Sequence, residues 1–337
     1  MSAKEKKEIG ILGAGAWGTA LANLISENGH EVLMWAHESE VVETINNQNE
    51  NVHFLSGIKL NPRIRATEKI KDLKDKEIIF VTTPSKFLRE CLVNLKKYQK
   101  KNIPFVICTK GIEEKSNLFV NEVFKKIFPD NSFALLSGPT FAIEVANKSP
   151  SAVTIATLDK KFWDIVSKII GSNHFRPYFS EDIMGVAIGG SLKNVIAIAS
   201  GIAEGRNLGE NAQAALITRG LAEMIRFCNA RGGNPTTMMG LSGLGDLTLT
   251  CLSKKSRNTS LGIKLGEGQT IEMIISSQKT VSEGYFSAPS IIHLAKKMKI
   301  EMPICQGVNN ILNNQTNIDS VIIDLLSRPF KSEFNIN

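Results

Sequence analysis

The chain has 337 residues, of which 42% are hydrophobic and 22% are charged, and its formal net charge is +7. It is too apolar for a disordered chain and too long for one ordinary hydrophobic core, so we expect two folded domains. The charged N-terminus lacks a secretory signal pattern and no run of about 18 apolar residues stands out. We therefore expect a cytoplasmic protein without a membrane span.

The first half of the chain alternates short β-type runs with amphipathic helical segments, among them 17–29 and 86–98. The β-type runs are rich in Ile, Val and Phe without clean alternation, which is typical of strands buried on both faces of a parallel sheet. They cover residues 8–13, 31–36, 77–83, 104–109, 133–137 and 152–157. This pattern predicts a Rossmann-type α/β dinucleotide-binding domain over residues 1–188.

After about residue 185 the β-type runs nearly vanish and long helical stretches follow, at 192–205, 212–233 and 291–300. Glycines at 201, 205, 232 and 233 are interpreted as helix caps or turns. We therefore expect an all-α substrate-binding and catalytic domain over residues 189–330.

A glycine-rich turn, Gly13-Ala14-Gly15-Ala16-Trp17-Gly18, joins the first predicted strand to the first predicted helix. Gly13 permits the tight turn, Gly15 lets the backbone approach a pyrophosphate, and Gly18 lets helix and strand pack closely. The alternative is a purely structural turn. The position of the glycine-rich turn, between a strand and a helix at the start of an α/β domain, favours NAD or NADP binding.

The second predicted strand is followed by His37, where a residue that contacts the adenosine ribose is expected. An acidic residue there would favour NAD, and a cation would favour NADP. Histidine lies between these cases, because it is only partly protonated near neutral pH. The sequence therefore leaves the choice of cofactor open.

The cysteine and histidine patterns exclude several kinds of site. The five cysteines are widely spaced without a CxxC pair, and the five histidines show no HExxH spacing, so we expect neither a disulfide framework nor a bound metal. Lysine pairs are scattered along helices and aromatic residues are only 7%, which argues against a nucleic-acid surface. A mild positive charge suits an anionic substrate or cofactor instead.

Two lysines are candidates for acid–base chemistry. Lys110 lies just past the strand at 104–109, where ligands bind in an open parallel sheet, although a surface loop lysine is the alternative. Lys193 lies in an apolar helix beside Gly189 and Gly190, where a structural lysine that reaches solvent is the alternative. If both share one pocket, burial and mutual repulsion lower the pKa of a lysine toward neutrality.

Ser256-Arg257-Asn258 precedes a helical stretch and offers a guanidinium fork, polar donors and a helix N-terminus to a phosphate group. A capped helix with a surface arginine is the alternative. Asp246 is expected in a glycine-rich turn, LSGLGD, where it could cap a helix or orient a catalytic lysine.

Several long motifs resemble the NAD(P)-dependent glycerol-3-phosphate dehydrogenases of bacterial type. They run from GAGAWGTALA through VTTPSKF, TKGIE, SGPTFAIEVA, LKNVIAIASGI and NAQAALITRGLAEM to GLSGLGDLTLTC and SRN. The resemblance covers nearly the whole chain. It departs from the family at His37, where arginine is frequent, and at Ser191, where alanine is usual.

The resemblance implies reversible reduction of dihydroxyacetone phosphate to sn-glycerol 3-phosphate, which supplies phospholipid synthesis. It implies Lys193 as the proton acceptor, and it places the substrate at Lys110, Gly138, Thr140, Lys193, Asp246, Ser256, Arg257 and Asn258. It places the cofactor at Ala16, Trp17, His37, Lys110, Ala142, Arg257, Val281 and Glu283.

As a mechanism, we expect the nicotinamide ring near Thr82, Thr83 and Pro84, with Lys193 exchanging the proton and Lys110 adding positive charge. Two alternatives stay open: a dehydrogenase of the same architecture with another phosphorylated or hydroxy-acid substrate, and a dinucleotide sensor without turnover. A dinucleotide sensor needs none of Lys110, Lys193 and Arg257, so the presence of all three argues against that alternative. A homodimer is one option for the assembly, which the sequence does not decide.

Overall fold

The computed structural model describes residues 6–99, 101–277, 282–330 and 332–333. An eight-stranded sheet forms the centre of the first domain, in the order β10-β9-β8-β5-β4-β1-β2-β3. Its strands are β1 (Glu8–Leu12), β2 (Glu31–Trp35), β3 (Ile64–Thr67), β4 (Ile78–Val81), β5 (Phe105–Ile107), β8 (Phe133–Ser137), β9 (Ser151–Ala156) and β10 (Phe175–Ser180), while β6 (Ile112–Glu113) and β7 (Leu118–Phe119) form a small hairpin.

Helices connect the strands and cover both faces of the sheet. They are α1 (Ala16–Glu27), α2 (Ser39–Gln48), α3 (Ser85–Lys96), α4 (Val120–Ile127), α5 (Ala142–Ala146) and α6 (Lys160–Ile170). Strands β1, β4 and β5 are buried throughout apart from Glu8, which accounts for their continuous apolar sequences. The Rossmann-type fold predicted for this half is confirmed.

The sheet departs from the all-parallel expectation at one edge. β8 and β9 pair antiparallel, and β10 then pairs parallel to β9, so β9 and β10 run against the other six strands. The only helix between β8 and β9 is the five-residue α5, which is about 7 Å long and too short to carry the chain back along the sheet. The chain therefore reverses and pairs directly.

Every described element after Ser180 is helical, which confirms the predicted all-α second half. The α-helices are α7 (Ile183–Gly205), α8 (Glu210–Ala230), α9 (Asp246–Leu252), α10 (Arg257–Gly266), α11 (Ile271–Ser277), α12 (Glu283–Met298), α13 (Pro303–Leu312) and α14 (Ile318–Leu326). The boundary at residue 189 stays a prediction. That residue lies inside α7, which begins at Ile183.

Helix α7 is the central helix of the second domain. Its length and composition would suffice to cross a membrane, although 89% of its most apolar window is buried inside the protein. Its apolar surface is therefore covered by neighbouring helices, and the closest of these is α10. A Cβ atom on Gly201 would lie 2.1 Å from the carbonyl oxygen of Thr259, and one on Gly262 would lie 2.2 Å from that of Ile198. The interpretation of Gly201 as a cap or turn is wrong, because it lies within α7 and permits backbone contact with α10.

Candidate active site

The glycine-rich turn has the geometry that a dinucleotide requires. Gly13 has a φ of +120°, and a Cβ atom on Gly18 would lie 2.2 Å from the Gly13 carbonyl oxygen. A Cβ atom on Gly15 would meet nothing within 4 Å, and no side chain caps helix α1 there. Open space therefore lies in front of unpaired helix N–H groups, which suits a pyrophosphate.

Two polar side chains, of which only Thr82 was named from the sequence, stabilise this turn. The Asn51 amide donates to the Ala14 carbonyl oxygen and to Thr19 Oγ1, each at 2.8 Å, and Thr82 Oγ1 donates to the Gly13 carbonyl oxygen at 2.8 Å. Asn51 is completely buried. Sequence reasoning missed it because no local pattern connects it to a turn 37 residues away.

The remaining predicted cofactor residues lie around the carboxyl edge of the sheet. His37 follows β2 and is exposed, with its ring centroid 6.4 Å from that of Trp35. Pro84 follows β4 at the start of α3, and half-buried Ala142 begins α5. Half-buried Ala16 and Trp17 lie in the first turn of α1. Val281 lies outside the described residues.

The two candidate lysines meet at a single buried carboxylate. Lys193 Nζ donates to Asp246 Oδ1 at 2.7 Å, and Lys110 Nζ donates to Asp246 Oδ2 at 2.5 Å. The side chains are 10%, 22% and 2% exposed for Lys193, Lys110 and Asp246 respectively. Both lysines therefore contact the same buried carboxylate, and Lys193 does not lie in bulk solvent.

The electrostatics of this cluster follow from burial and from its charges. Burial lowers the pKa of Lys193 to about 8, and the charge of Lys110 acts in the same direction, while Asp246 opposes both. Burial alone would raise the pKa of Asp246, but the two lysines bring it below its ordinary value. The site therefore contains an ionised carboxylate and a lysine able to exchange a proton near neutral pH.

Thr250 completes the cluster, although sequence reasoning did not single it out. Its Oγ1 accepts from Lys193 Nζ at 2.8 Å and donates to the Asp246 carbonyl oxygen at 2.6 Å. Thr250 lies four residues after Asp246 on α9, so both side chains share one face of that helix. That spacing was the signal that could have identified it.

The segment before Asp246 differs from the expected turn. Residues Leu241–Gly245 form one π-helical turn that continues directly into α9. A Cβ atom on Gly243 would lie 2.1 Å from the Met238 carbonyl oxygen, and one on Gly189 would lie 2.3 Å from that of Ser242. Gly243 therefore lets the π turn pack against the backbone of Met238, and Gly189 permits backbone contact between the π turn and α7, which brings Asp246 to Lys193.

Gly138 and Thr140 lie directly beyond β8, beside Lys110. The Gly138 carbonyl oxygen accepts from Lys110 Nζ and from Thr140 Oγ1, both at 3.3 Å. Gly138 has a φ of +152°, and a Cβ atom there would lie 3.0 Å from the backbone of Val153. Both predicted substrate residues are therefore beside the lysine cluster.

The residues predicted to bind phosphate lie at the start of α10. Features of both interpretations, a phosphate site and a capped helix with a surface arginine, occur together there. Ser256 Oγ caps the helix by accepting from the Thr259 backbone N–H at 3.2 Å, while the Arg257 side chain is exposed. Asn258 is buried, donates to Asn194 Oδ1 at 2.9 Å and accepts from the Gly284 backbone N–H at 2.9 Å. Within the described residues, the Ser256 hydroxyl hydrogen and one Asn258 amide hydrogen stay available to a ligand.

The other predicted residue, Glu283, begins α12 and points toward the first domain. Its carboxylate accepts from Ser85 Oγ at 2.5 Å and from the Ser85 backbone N–H at 3.2 Å. Burial raises the pKa of Glu283, and the Ser85 bonds and the charge of Arg257 oppose that rise.

The cysteines are free thiols in this structure. All five cysteines lie in the described part of the chain, buried and unpaired, and burial raises the pKa of Cys251 to about 12. Among the described residues, no three His, Cys, Asp or Glu side chains are grouped as a metal site. Cys251 is therefore a neutral thiol beside the lysine cluster.

Comparison with known proteins identifies the family. Residues 8–163 match the NAD-dependent glycerol-3-phosphate dehydrogenase N-terminus, and residues 182–323 match the C-terminus of the same family. A relative from Parvibaculum lavamentivorans, named as an NAD(P)+ glycerol-3-phosphate dehydrogenase, is 45% identical over 97% of this chain and 98% of its own. A relative of the same name from Novosphingobium aromaticivorans is 46% identical over 97% and 98%.

Solved structures agree with these matches. The crystal structure of a glycerol-3-phosphate dehydrogenase from Coxiella burnetii superposes with a TM-score of 0.92 at 35% identity, covering 96% of this chain and 99% of its own. A D-mandelate dehydrogenase shares the fold alone, with a TM-score of 0.62 at 16% identity over 94% of this chain and 99% of its own. The resemblance inferred from the motifs is therefore confirmed over its rival of the same architecture, and the chain belongs to the NAD-dependent glycerol-3-phosphate dehydrogenase family.

Proposed function

We propose that this protein is a cytoplasmic NAD(P)-dependent glycerol-3-phosphate dehydrogenase, which interconverts dihydroxyacetone phosphate and sn-glycerol 3-phosphate and thereby supplies glycerophospholipid synthesis. The single observation that carries the proposal is the contact of Lys110 and Lys193 with one buried carboxylate, Asp246. Family membership supports the choice of substrate.

The bound nicotinamide supplies the hydride that reduces the ketone carbon. In this direction Lys193 Nζ, as an ammonium group, stabilises the negative charge that develops on the ketone oxygen and then donates its proton to it. In the oxidative direction neutral Lys193 accepts the proton from the substrate hydroxyl group. The lowered pKa of Lys193, about 8, suits both directions near neutral pH.

Lys110 and Asp246 act on this step through their charges. Asp246 orients both amines, and its charge limits the fall in the Lys193 pKa that burial causes. Lys110 adds a second positive group beside the substrate. Ser256, Arg257 and Asn258 bind the phosphate in this proposal, which places the reacting carbon near Lys193.

The proposed cofactor site consists of the turn Gly13–Gly18, His37, Pro84 and Ala142. The family resemblance adds Lys110, Arg257, Val281 and Glu283 to it. The open space at Gly15 and the uncapped start of α1 support pyrophosphate binding there. We leave the selection between NADH and NADPH to the assay, because an exposed histidine at position 37 is compatible with either.

The assembly and the domain division are also proposals. We assign residues 1–188 to cofactor binding and 189–330 to substrate binding and catalysis. The exposed apolar side chains of Ile323 and Leu326 on α14, 64% and 80% exposed, support a homodimer. The proposed partners are small molecules only, without nucleic acid or a membrane span.

The proposal is tested by following the absorbance of NADH or NADPH with dihydroxyacetone phosphate as substrate. We expect oxidation of the cofactor that depends on this substrate, and a Lys193→Ala variant that loses about 10²–10⁴-fold in turnover while it still binds cofactor. Lys254→Ala is the matched control, since that lysine is 79% exposed. Absence of turnover in the unmodified protein would refute the activity, and near-normal turnover in Lys193→Ala would remove that lysine from the mechanism.

A further inference from the structure

A contact between the two domains lies directly beside the lysine cluster. Glu283 at the start of α12 accepts two hydrogen bonds from Ser85 at the start of α3, although the two residues are 198 positions apart. Ser85 follows Pro84 and is only 3% exposed, so water has little access to this contact. Burial raises the pKa of Glu283, while the two hydrogen bonds from Ser85 oppose that rise.

Helix α3 needs this carboxylate because its own sequence supplies no cap. Pro84 occupies the N-cap position and makes no side-chain hydrogen bond to the first turn. The first N–H groups of a helix lack partners within the helix, and a negative charge there is favourable. Glu283 therefore caps a helix of the first domain from the second domain.

Hydrogen bonds continue from Glu283 to the helix that carries Lys193. The backbone N–H of Gly284, the next residue, donates to Asn258 Oδ1 at 2.9 Å, and Asn258 Nδ2 donates to Asn194 Oδ1 at 2.9 Å. Asn194 directly follows Lys193 in α7. A continuous series of contacts thus joins Ser85 at the sheet edge to the catalytic helix.

The backbone at Gly111, the residue after Lys110, lies against the same contact. Gly111 has a φ of +132°, and a Cβ atom there would lie 2.9 Å from Ser85 Oγ and 3.1 Å from Glu283 Oε2. Its N–H donates to Ser191 Oγ on α7 at 3.2 Å. Both lysines therefore lie next to residues whose positions depend on contacts between the domains.

We propose that Ser85 is a positioning residue. Through Glu283 it keeps the carboxyl edge of the sheet, where the cofactor binds in the proposed function, aligned with α7, the helix that carries Lys193. The inference rests on the proposed function. Glu283 makes this contact in addition to the cofactor role that the family resemblance implies for it. Since an error of about 1 Å in the alignment of reacting groups can cost about 10²-fold in rate, the contact acts on turnover rather than on binding.

The experiment compares Ser85→Ala, Glu283→Gln and the double variant by steady-state kinetics and by the fluorescence of bound NADPH. We expect each single variant to lower kcat about tenfold, and Ser85→Ala to change the Kd of NADPH by less than about twofold, because the proposal gives Ser85 no contact with the dinucleotide. The double variant should be no slower than the worse single variant, since both changes break one contact. Ser167→Ala is the control, because its exposed hydroxyl bonds only within its own helical turn, to Asp164.

Weaker NADPH binding with unchanged kcat in Ser85→Ala would overturn the proposal, because Ser85 would then act on the cofactor itself. Losses of kcat that multiply in the double variant would also overturn it. If the unmodified protein shows no turnover with dihydroxyacetone phosphate, the proposed function fails instead. In that case the same cycle of variants measured by thermal unfolding tests the contact, with additive changes in Tm counting against it and non-additive changes supporting it.

Discussion

At the scale of single residues, Asp246 is the side chain on which the site depends. Burying a carboxylate is costly unless it is paired and hydrogen-bonded, and here two ammonium groups and nearby Thr250 surround it. The group retains a net positive charge when both lysines are protonated. It therefore favours an anionic substrate and the oxyanion that forms during reduction.

The pH dependence of the reaction should follow the pKa of Lys193, about 8. Oxidation of glycerol 3-phosphate needs the neutral amine, so kcat/KM should rise as pH increases through about 8. Reduction of dihydroxyacetone phosphate needs the ammonium group, so kcat/KM should fall over the same range. Asp246→Asn removes a charge that raises this pKa, so both transitions should move to lower pH.

Rate profiles in both directions, for the unmodified protein and for Asp246→Asn, check this expectation. Lys254→Ala, at an exposed position, should leave both transitions where they are. Transitions that stay in place in Asp246→Asn would show that another group titrates.

At the scale of elements, the unit of β1, the glycine-rich turn and α1 contains two glycines with different roles. Gly18 is required for folding, because any Cβ atom would approach the Gly13 carbonyl oxygen to 2.2 Å. Gly15 has open space around its Cα atom, so folding alone does not require it. Its absence of a side chain is explained by a ligand that approaches the backbone.

We therefore expect Gly15→Ala to impair cofactor binding and Gly18→Ala to impair stability. Gly15→Ala should keep the Tm within a few degrees and weaken NAD(P)H binding about tenfold or more, because the methyl group faces the pyrophosphate. Gly18→Ala should lower the stability by about 1–3 kcal/mol, since overpacking forces the backbone apart. Thermal unfolding and cofactor titration of both variants separate the effects, and a Gly15→Ala variant with unchanged cofactor affinity would contradict the assignment of this turn.

At the scale of the whole molecule, the formal charge of +7 and the positive lysine cluster act together on anionic ligands. Salt screens such interactions, with a Debye length of about 10 Å at 0.1 M. We expect the KM for dihydroxyacetone phosphate to rise with ionic strength while kcat changes little. Dihydroxyacetone without phosphate is the matched control, because a neutral substrate should show no such rise. Equal salt dependence for both substrates would exclude electrostatic attraction of the phosphate as the cause.

The fold was predictable to the extent that its elements carry strong local patterns. The strands β1, β2, β4, β5, β8 and β9 were predicted, as were most of α1, α3, α7 and α8, because these segments have continuous apolar or amphipathic sequences. Strands β3 and β10 were missed, because they are edge strands with exposed alternating residues, and β10 contains Pro177. The reversal at β9 was missed as well, since strand direction leaves no mark in a buried apolar run.

The candidate site was predictable only as separate pieces. Lys110, Lys193 and Asp246 could be named from their local surroundings and from the family resemblance, but their meeting could not be derived from spacing. Asn51 had no motif to indicate it. Ser85 and Thr250 lie within the motifs VTTPSKF and GLSGLGDLTLTC, but neither was singled out there, and their roles became clear from their contact partners in the structure.

By itself the sequence determined the local structure of this protein and its family resemblance: where strands and helices form, where a glycine is required, and which family the motifs resemble. Only the tertiary structure decided that Asp246 accepts from Lys110 and Lys193, which lie 136 and 53 residues away, and that Glu283 caps α3 across the two domains. The physical reason is the distance along the chain over which each kind of interaction acts. Backbone preferences act between neighbours along the chain, whereas burial and charge pairing depend on which surfaces pack together after folding.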